Sequence, residues 1–350
     1  MNRIVTVRGV KRPYDIIIGK DIFNLIPSKI KELTKARTVA VITDDNVDRL
    51  YSEDMLQMLR SAGLTAVKFV FAHGEEHKTM DTVCEILEFL AENNVTRSDL
   101  ILALGGGIVG DVAGYAASSY LRGIDFIQVP TTFLAAIDSS VGGKTGVNLR
   151  AGKNLAGAFY QPRLVLCNTR VFDTLPKENF KEGVAEAIKY GVICDKELFD
   201  LLSEGETWDL ESVIERCVAI KADIVSQDEF DIGKRQLLNL GHTVAHAIEK
   251  TKNYEISHGI AVGIGMSIIS EISDRMGWSC EDTNSKIVRC LENNGIPTSI
   301  DVNNEEMLTV MARDKKINAD MINLVIPKKI GECVLKSIRL CEIKDVLECK

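Results

Sequence analysis

The chain has 350 residues, 45% of them apolar, and a net charge of −8. That length suffices for two domains, each with its own core, and the acidic balance excludes the broad basic surface that nucleic acid requires. The nine cysteines are scattered singly with no CxxC pair, which fits a reducing cytosol better than a disulfide framework.

The amino terminus, MNRIVTVRGVKRPYDI, lacks the apolar run of a signal peptide. No apolar stretch reaches bilayer length, so a cytoplasmic protein without a membrane partner is expected. ARTVAVITDD, VDRLYSEDMLQMLRSAG, TAVKFVFA, TMDTVCEILEFLAENN and DLILALGGG then alternate strand-like and amphipathic helical runs. That rhythm predicts βαβ units on a mostly parallel, Rossmann-like sheet. Asp44 closes the first of these strands, where it suits either a ribose hydroxyl or the cap of the next helix. HGEEHKTMD follows the strand ending at Ala72 and offers Glu75 and Lys78 at the strand ends; lone loop charges are otherwise solvated.

LILALGGGIVGDVAGYAASSYL runs from a strand through glycines into a helix of small residues, and Gly105, Gly107 and Gly110 satisfy the GxGxxG spacing. Such a turn lets backbone amides and the helix dipole meet a diphosphate. Its place about a hundred residues into the chain leaves tight helix packing as the competing explanation. The next run, YLRGIDFIQVPTTFLAAIDSSVGGKTGVNLRAGKNLAGAFYQP, sets Arg122, Lys144, Lys153 and Asn154 among glycines and apolar residues. Cations in such surroundings call for an anion, a phosphate or a carboxylate. Lys221, Arg235, Lys315 and Lys316, with the polar Asn239, add to the positive set, implying a doubly anionic small molecule.

From about residue 175 strand signals fade, and ESVIERCVAIKADIVSQDEF and HGIAVGIGMSIISEISDRMGW read as helices. The turn at DTLPKENF divides an α/β domain at 1–174 from a mostly helical domain at 175–350, with INLVIPKKIGECVLKSI as a late hairpin. Three of the five histidines stand in LLNLGHTVAHAIEKTKNYEISHGIAVGIGM. His242 and His246 are one helical turn apart, so one helix can aim both at one metal ion, and His258 follows before the next helix. Capping of the turn by His242 and ordinary polar roles for the other two are the alternative. A third ligand is sought on another apolar helix. Glu186 in FKEGVAEAIKYGVI fits, with Lys189 on the same face, whereas Glu182 reads as part of a solvated helix start.

Together GGGIVGDVAGY, RGIDFIQVPTTFLAAIDSSVGGKTGVN, KNLAGAFYQP, VAEAIKYG and LNLGHTVAHAIE followed by SHG resemble the 3-dehydroquinate synthase family of sugar-phosphate cyclases, over residues 40 to 330. The resemblance implies an NAD-binding α/β domain, a helical metal-binding domain with the active site between them, and a homodimer. It implies a carbon–oxygen lyase of aromatic biosynthesis that turns 3-deoxy-D-arabino-heptulosonate 7-phosphate into 3-dehydroquinate and phosphate. The route is transient oxidation by NAD, elimination, reduction, ring opening and aldol closure. By matching motif it assigns one divalent ion, zinc or cobalt, to Glu186, His242 and His258. NAD contacts fall on Asp44, Glu75, Lys78, Gly106, Gly107, Asp111, Thr131 and Thr132, with Lys144 and Lys153 adjoining the cofactor as well as the substrate. His246 becomes the proton-transfer group. Asp138, Lys144, Lys153, Asn154, Lys189, Lys221, Arg235, Asn239 and Lys316 become substrate-pocket residues, and Arg122 serves the phosphate pocket across the dimer. Ile260, Lys234 and the segment after Lys316 depart from the family pattern. A cyclase for an uncarboxylated heptulose phosphate and a metal-dependent polyol dehydrogenase are the alternative functions.

Overall fold

A computed structural model describes residues 2–205, 208–280, 282–302, 321–339 and 342. The chain divides into two compact units, one of Met1–Pro176 with Lys221–Phe230, the other of Lys177–Ile220 with Asp231–Lys350. The first unit carries nine strands: β1 (Arg3–Val7), β2 (Tyr14–Gly19), β3 (Thr38–Asp44), β4 (Thr65–Phe71), β5 (Leu100–Gly105), β6 (Asp125–Pro130), β7 (Lys144–Leu149), β8 (Gly152–Phe159) and β9 (Leu164–Asn168).

Seven of these form one sheet in the order β1-β2-β9-β6-β5-β3-β4. Its pairings are parallel except for β1 on β2. Side chains alternate between faces along a strand, and the two cores follow from that. Val39 and Val41 of β3, with Leu100, Leu102 and Leu104 of β5, pack with Met55, Leu56 and Leu59 on one face. Ala40, Ile42, Ile101 and Ala103 pack with Val83, Ile86, Val112 and Ala116 on the other. Helices therefore cover both faces, which keeps this largely parallel sheet buried. From β3 the chain goes out to β4 on one side and returns to β5 on the other. The strand order reverses there, and ligands of such sheets bind in the crevice at the carboxyl ends of the two strands concerned.

Two features were not anticipated from the pattern. The antiparallel β1–β2 pair precedes the first βαβ unit, and the SSVGGKTGVN region forms a separate antiparallel hairpin of β7 and β8. One face of that hairpin, with Thr145 and Val147, is buried. The helix Gly107–Ser119 lies against it: a Cβ on Gly114 would fall 2.5 Å from Cγ2 of Thr145.

The second unit is mainly helical: Lys177–Cys194, Lys196–Ser203, most of Leu210–Gln227, His242–Thr251, His258–Arg275 and Thr283–Asn293, with a 3-10 turn at Lys234–Asn239. Strands β10 (Met321–Lys329) and β11 (Glu332–Arg339) make the expected late hairpin. Gly331 N–H of that hairpin donates to Val192 O at 3.0 Å. Gly241, at φ +76°, turns the chain into the His242 helix, and a Cβ on Gly265 would lie 2.2 Å from Gly241 O. Only glycine allows the His258 helix to come so close to that turn. No helix among the described residues is long and apolar enough to cross a membrane.

Candidate active-site clusters

In the first unit the expected nucleotide residues collect at the carboxyl ends of parallel strands. Asp44 ends β3, and its Oδ1 accepts from the N–H groups of Asn46 at 2.9 Å and Val47 at 3.0 Å, so it caps the following turn. Gly106 precedes the helix Gly107–Ser119 directly after β5, with no side-chain cap and no acidic residue in the first turn. The uncapped amides and the positive end of this helix suit an anion such as a diphosphate. A Cβ would meet Thr132 Cγ2 at 3.1 Å from Gly106 and Ser139 Oγ at 3.0 Å from Gly107. Tight packing explains Gly105 instead, where a Cβ would lie 2.5 Å from Val109. Thr131 and Thr132 follow β6, and Thr131 N–H donates to Gly105 O at 2.9 Å.

One polar network joins several of these residues. Lys78 is buried, and its Nζ donates to Asp111 Oδ2 and to Asn154 Oδ1, both at 2.6 Å. Burial pushes the Asp111 carboxyl up, and the Lys78 charge partly offsets that shift. Asn148 Nδ2 donates to Glu75 Oε1 at 2.8 Å, and Asn148 Oδ1 accepts from Asn154 N–H at 2.8 Å. The sequence pattern did not single out Asn148, because one amide in a glycine-rich run carries no periodic signal. Buried Lys221 donates to Asp138 Oδ1 at 2.8 Å.

Lys153 is half-buried on β8. The apolar setting expected for Lys144 is corrected: it starts β7 with an exposed side chain, although Thr145, Gly146 and Val147 after it are buried. Arg122 is also exposed, at the far end of the helix that begins at Gly107. A 13-residue helix runs about 20 Å, so this arginine is not brought to the Gly107 end.

In the second unit Glu186 and Lys189 are both buried on the Lys177–Cys194 helix, with the Lys189 ammonium against Glu186 Oε2. Oε1 accepts no hydrogen bond, and Oε2 meets only that ammonium. Oε1 faces Nε2 of His242 at 3.5 Å and Nε2 of His258 at 3.7 Å. These gaps are too long for hydrogen bonds. They match a shared ion: donors about 2.0–2.1 Å from a tetrahedral zinc stand about 3.4 Å from one another. The orphaned buried oxygen and two converging imidazole nitrogens therefore fit a divalent metal.

Outer contacts orient the same rings. His242 Nδ1 lies 3.1 Å from Leu240 O, which holds the proton on that nitrogen and turns the Nε2 lone pair to Glu186. His258 Nδ1 faces Glu249 Oε2 at 3.6 Å, an acid that no motif or spacing in the sequence marks. Burial first, then the Lys189 charge and the neighbouring imidazoles, holds His242 well below the usual histidine range, hence neutral as a ligand must be. His246 is exposed, its ring 5.8 Å from that of His242 and 6.0 Å from that of His258. It also groups with Glu249 and His258. The orphaned Glu186 oxygen favours the first trio as the metal centre.

The solvated setting expected for Glu182 is corrected. It is half-buried and accepts from Gly259 N–H at 3.4 Å, and burial pushes its carboxyl up. Arg235 is buried and Asn239 exposed on the turn Lys234–Asn239. Lys315 and Lys316 lie outside the described residues.

Models of the 3-dehydroquinate synthase N-terminal and C-terminal regions match residues 68–182 and 183–317. The 3-dehydroquinate synthase of Clostridium acetobutylicum is 43% identical over 332 residues, covering 93% of each chain. A crystal structure of 2-deoxy-scyllo-inosose synthase complexed with carbaglucose-6-phosphate, NAD+ and Co2+ is 28% identical with a TM-score of 0.90, covering 99% of both chains. A 2-epi-5-epi-valiolone synthase from Streptomyces hygroscopicus subsp. jinggangensis, with NAD+ and Zn2+ bound, is 26% identical at a TM-score of 0.87, covering 99% of this chain and 98% of that one. With strand ends arranged for a nucleotide and a buried carboxylate facing two imidazoles, the matches place this chain in the 3-dehydroquinate synthase family.

Proposed function

We propose that this protein converts 3-deoxy-D-arabino-heptulosonate 7-phosphate into 3-dehydroquinate and phosphate, as a carbon–oxygen lyase of aromatic biosynthesis. The observation that carries the reading is Glu186 Oε1, buried without a hydrogen bond and facing two imidazole Nε2 atoms, in a chain 43% identical to a 3-dehydroquinate synthase. A bound divalent ion would lower the pKa of the hydroxyls it holds and polarise the adjacent carbonyl, and bound NAD would supply reversible hydride transfer at C5.

The chain's own residues do the rest. Glu186, His242 and His258 hold the ion. The amides of Gly106 and Gly107 receive the diphosphate, Asp44 the ribose, and Glu75, Lys78, Asp111, Thr131 and Thr132 complete the nucleotide site, with Lys144 and Lys153 beside it. Arg122, Lys144, Asn154 and Lys316 bind the substrate phosphate. Arg235 and Lys221 bind its carboxylate and hydroxyls, and Lys189, Asp138, Asn239 and Lys153 line the remaining pocket. Oxidation at C5 acidifies the neighbouring C–H, so phosphate leaves by elimination, with a phosphate oxygen as base. Ring opening and aldol closure need orientation and a proton carrier, and exposed His246 beside the metal ligands is that carrier. We assign the working form to a cytoplasmic homodimer, with Arg122 serving the partner's phosphate pocket. The two domains correspond to 1–174 for NAD and 175–350 for metal and substrate.

The two solved relatives are cyclases for other products, which keeps an uncarboxylated heptulose phosphate as the second reading. Phosphate release from the heptulosonate phosphate, followed together with NADH absorbance and repeated with a chelator, tests the assignment. Metal-dependent phosphate release without net NADH is expected. Absence of phosphate release from the metal- and NAD-loaded protein overturns it, and steady accumulation of NADH from a polyol would mark a dehydrogenase.

A further inference from the structure

We propose that Asn148 is a positioning residue that couples the nucleotide loop to the phosphate-binding hairpin, so that NAD+ binding pre-orders Asn154. The proposal rests on the roles given above to Glu75, Lys78 and Asn154. Asn148 stands near the end of β7 and commits three polar groups to three different residues. Its N–H donates to Lys78 O at 2.8 Å, its Nδ2 to Glu75 Oε1 at 2.8 Å, and its Oδ1 accepts from Asn154 N–H at 2.8 Å.

Asn154 needs that support. Its φ is +55°, the left-handed region, which asparagine enters more readily than other side-chain-bearing residues but keeps only where hydrogen bonds hold it. Asn148 holds its backbone, and Lys78 holds its side chain by donating to Oδ1 at 2.6 Å. With the amide oxygen taken by Lys78, Nδ2 is left to present N–H groups outward. That is the polarity an anionic phosphate requires, and the flipped amide would offer it an acceptor. Asp111 fixes the other side of Lys78 at 2.6 Å. Glu75 and Lys78 are thus each within one or two hydrogen bonds of Asn154, and a nucleotide that steadies them steadies it. Linkage makes the effect reciprocal: phosphate at Asn154 must tighten NAD+ binding by the factor with which NAD+ tightens phosphate.

The test is calorimetric titration of NAD+ into the metal-loaded protein, with and without saturating inorganic phosphate, alongside the thermal midpoint. In the wild-type protein phosphate should tighten NAD+ binding about five-fold or more. In Asn148→Ala that factor should fall to within about two-fold, and the substrate KM should rise more than kcat falls. Asn148→Asp sets two carboxylates against each other and should lose the coupling as well. Adding Glu75→Gln supplies a donor to the new carboxylate and should recover it, a rescue that a merely structural role would not produce. No coupling in the wild-type protein overturns the proposal, as does undiminished coupling in Asn148→Ala. Loss of thermal stability in Asn148→Asp without rescue by Glu75→Gln also overturns it, marking Asn148 as structural. Failure of the assigned reaction would appear separately, as absent phosphate release by a wild-type protein that still shows the coupling.

Discussion

Lys189 and Glu186 stand one helical turn apart, both buried, with the ammonium against one carboxylate oxygen while the other faces His242 and His258. The lysine therefore neutralises a carboxylate whose other oxygen accepts no hydrogen bond. Without metal, Lys189→Met strands a buried charge at a cost of about 3–5 kcal/mol. A divalent ion on the same carboxylate takes over that role. The thermal midpoint of the metal-free variant should fall much further than that of the zinc-loaded variant, and equal falls would show that the ion does not contact Glu186.

His242 is a ligand with its Nδ1 tied to Leu240 O, whereas His246 on the next turn is exposed. Metal analysis after gel filtration should find the ion lost from His242→Ala and Glu186→Ala and retained in His246→Ala, which still loses turnover. Equal metal loss from the His242 and His246 variants would overturn this division of roles.

Asp99 clips the start of β3 to the turn before β5. It accepts from Arg37 N–H and Thr38 N–H on Oδ1, and from Thr96 N–H and Thr96 Oγ1 on Oδ2. Burial alone would push this carboxyl up, but the Thr96 hydroxyl and the three amides together outweigh it and hold the group below its usual range. A depressed folded value means that the stabilisation is complete above the ordinary carboxylate pKa and is lost as pH falls through the lowered one. Asp99→Ala should cost about 2–4 kcal/mol near neutrality, and denaturant midpoints of variant and wild type should converge in strong acid. A gap that persists there would assign the loss to packing.

Asp44 both caps a turn and stands at the crevice between β3 and β5. Asparagine is as good a cap as aspartate, so Asp44→Asn should leave the thermal midpoint in place, while Asp44→Ala gives up about 1 kcal/mol. Both should weaken NAD+ binding about ten-fold, the scale of a lost hydrogen bond to a charged group. An unchanged NAD+ affinity in both variants would reduce Asp44 to its capping role.

The βαβ rhythm, the helical character of the second half, the late hairpin and the pairing of His242 with His246 on one helix are all legible in the residue pattern. These follow from periodicities of two and of three to four residues, which the backbone imposes locally. The Glu186 ligand and the glycine turn were legible as residue types in apolar settings, and several joined motifs were enough to identify the family.

Which atoms meet depends on how the elements pack. The turning of His242 Nε2 toward Glu186 depends on the carbonyl of Leu240, and Glu249 becomes a partner of His258 only once two helices pack. Asn148 matters because β7 returns beside the loop after β4, and Glu182 loses its solvent because the His258 helix lies against it. The last two pairings join residues 73 and 77 positions apart, and no local period records such a contact.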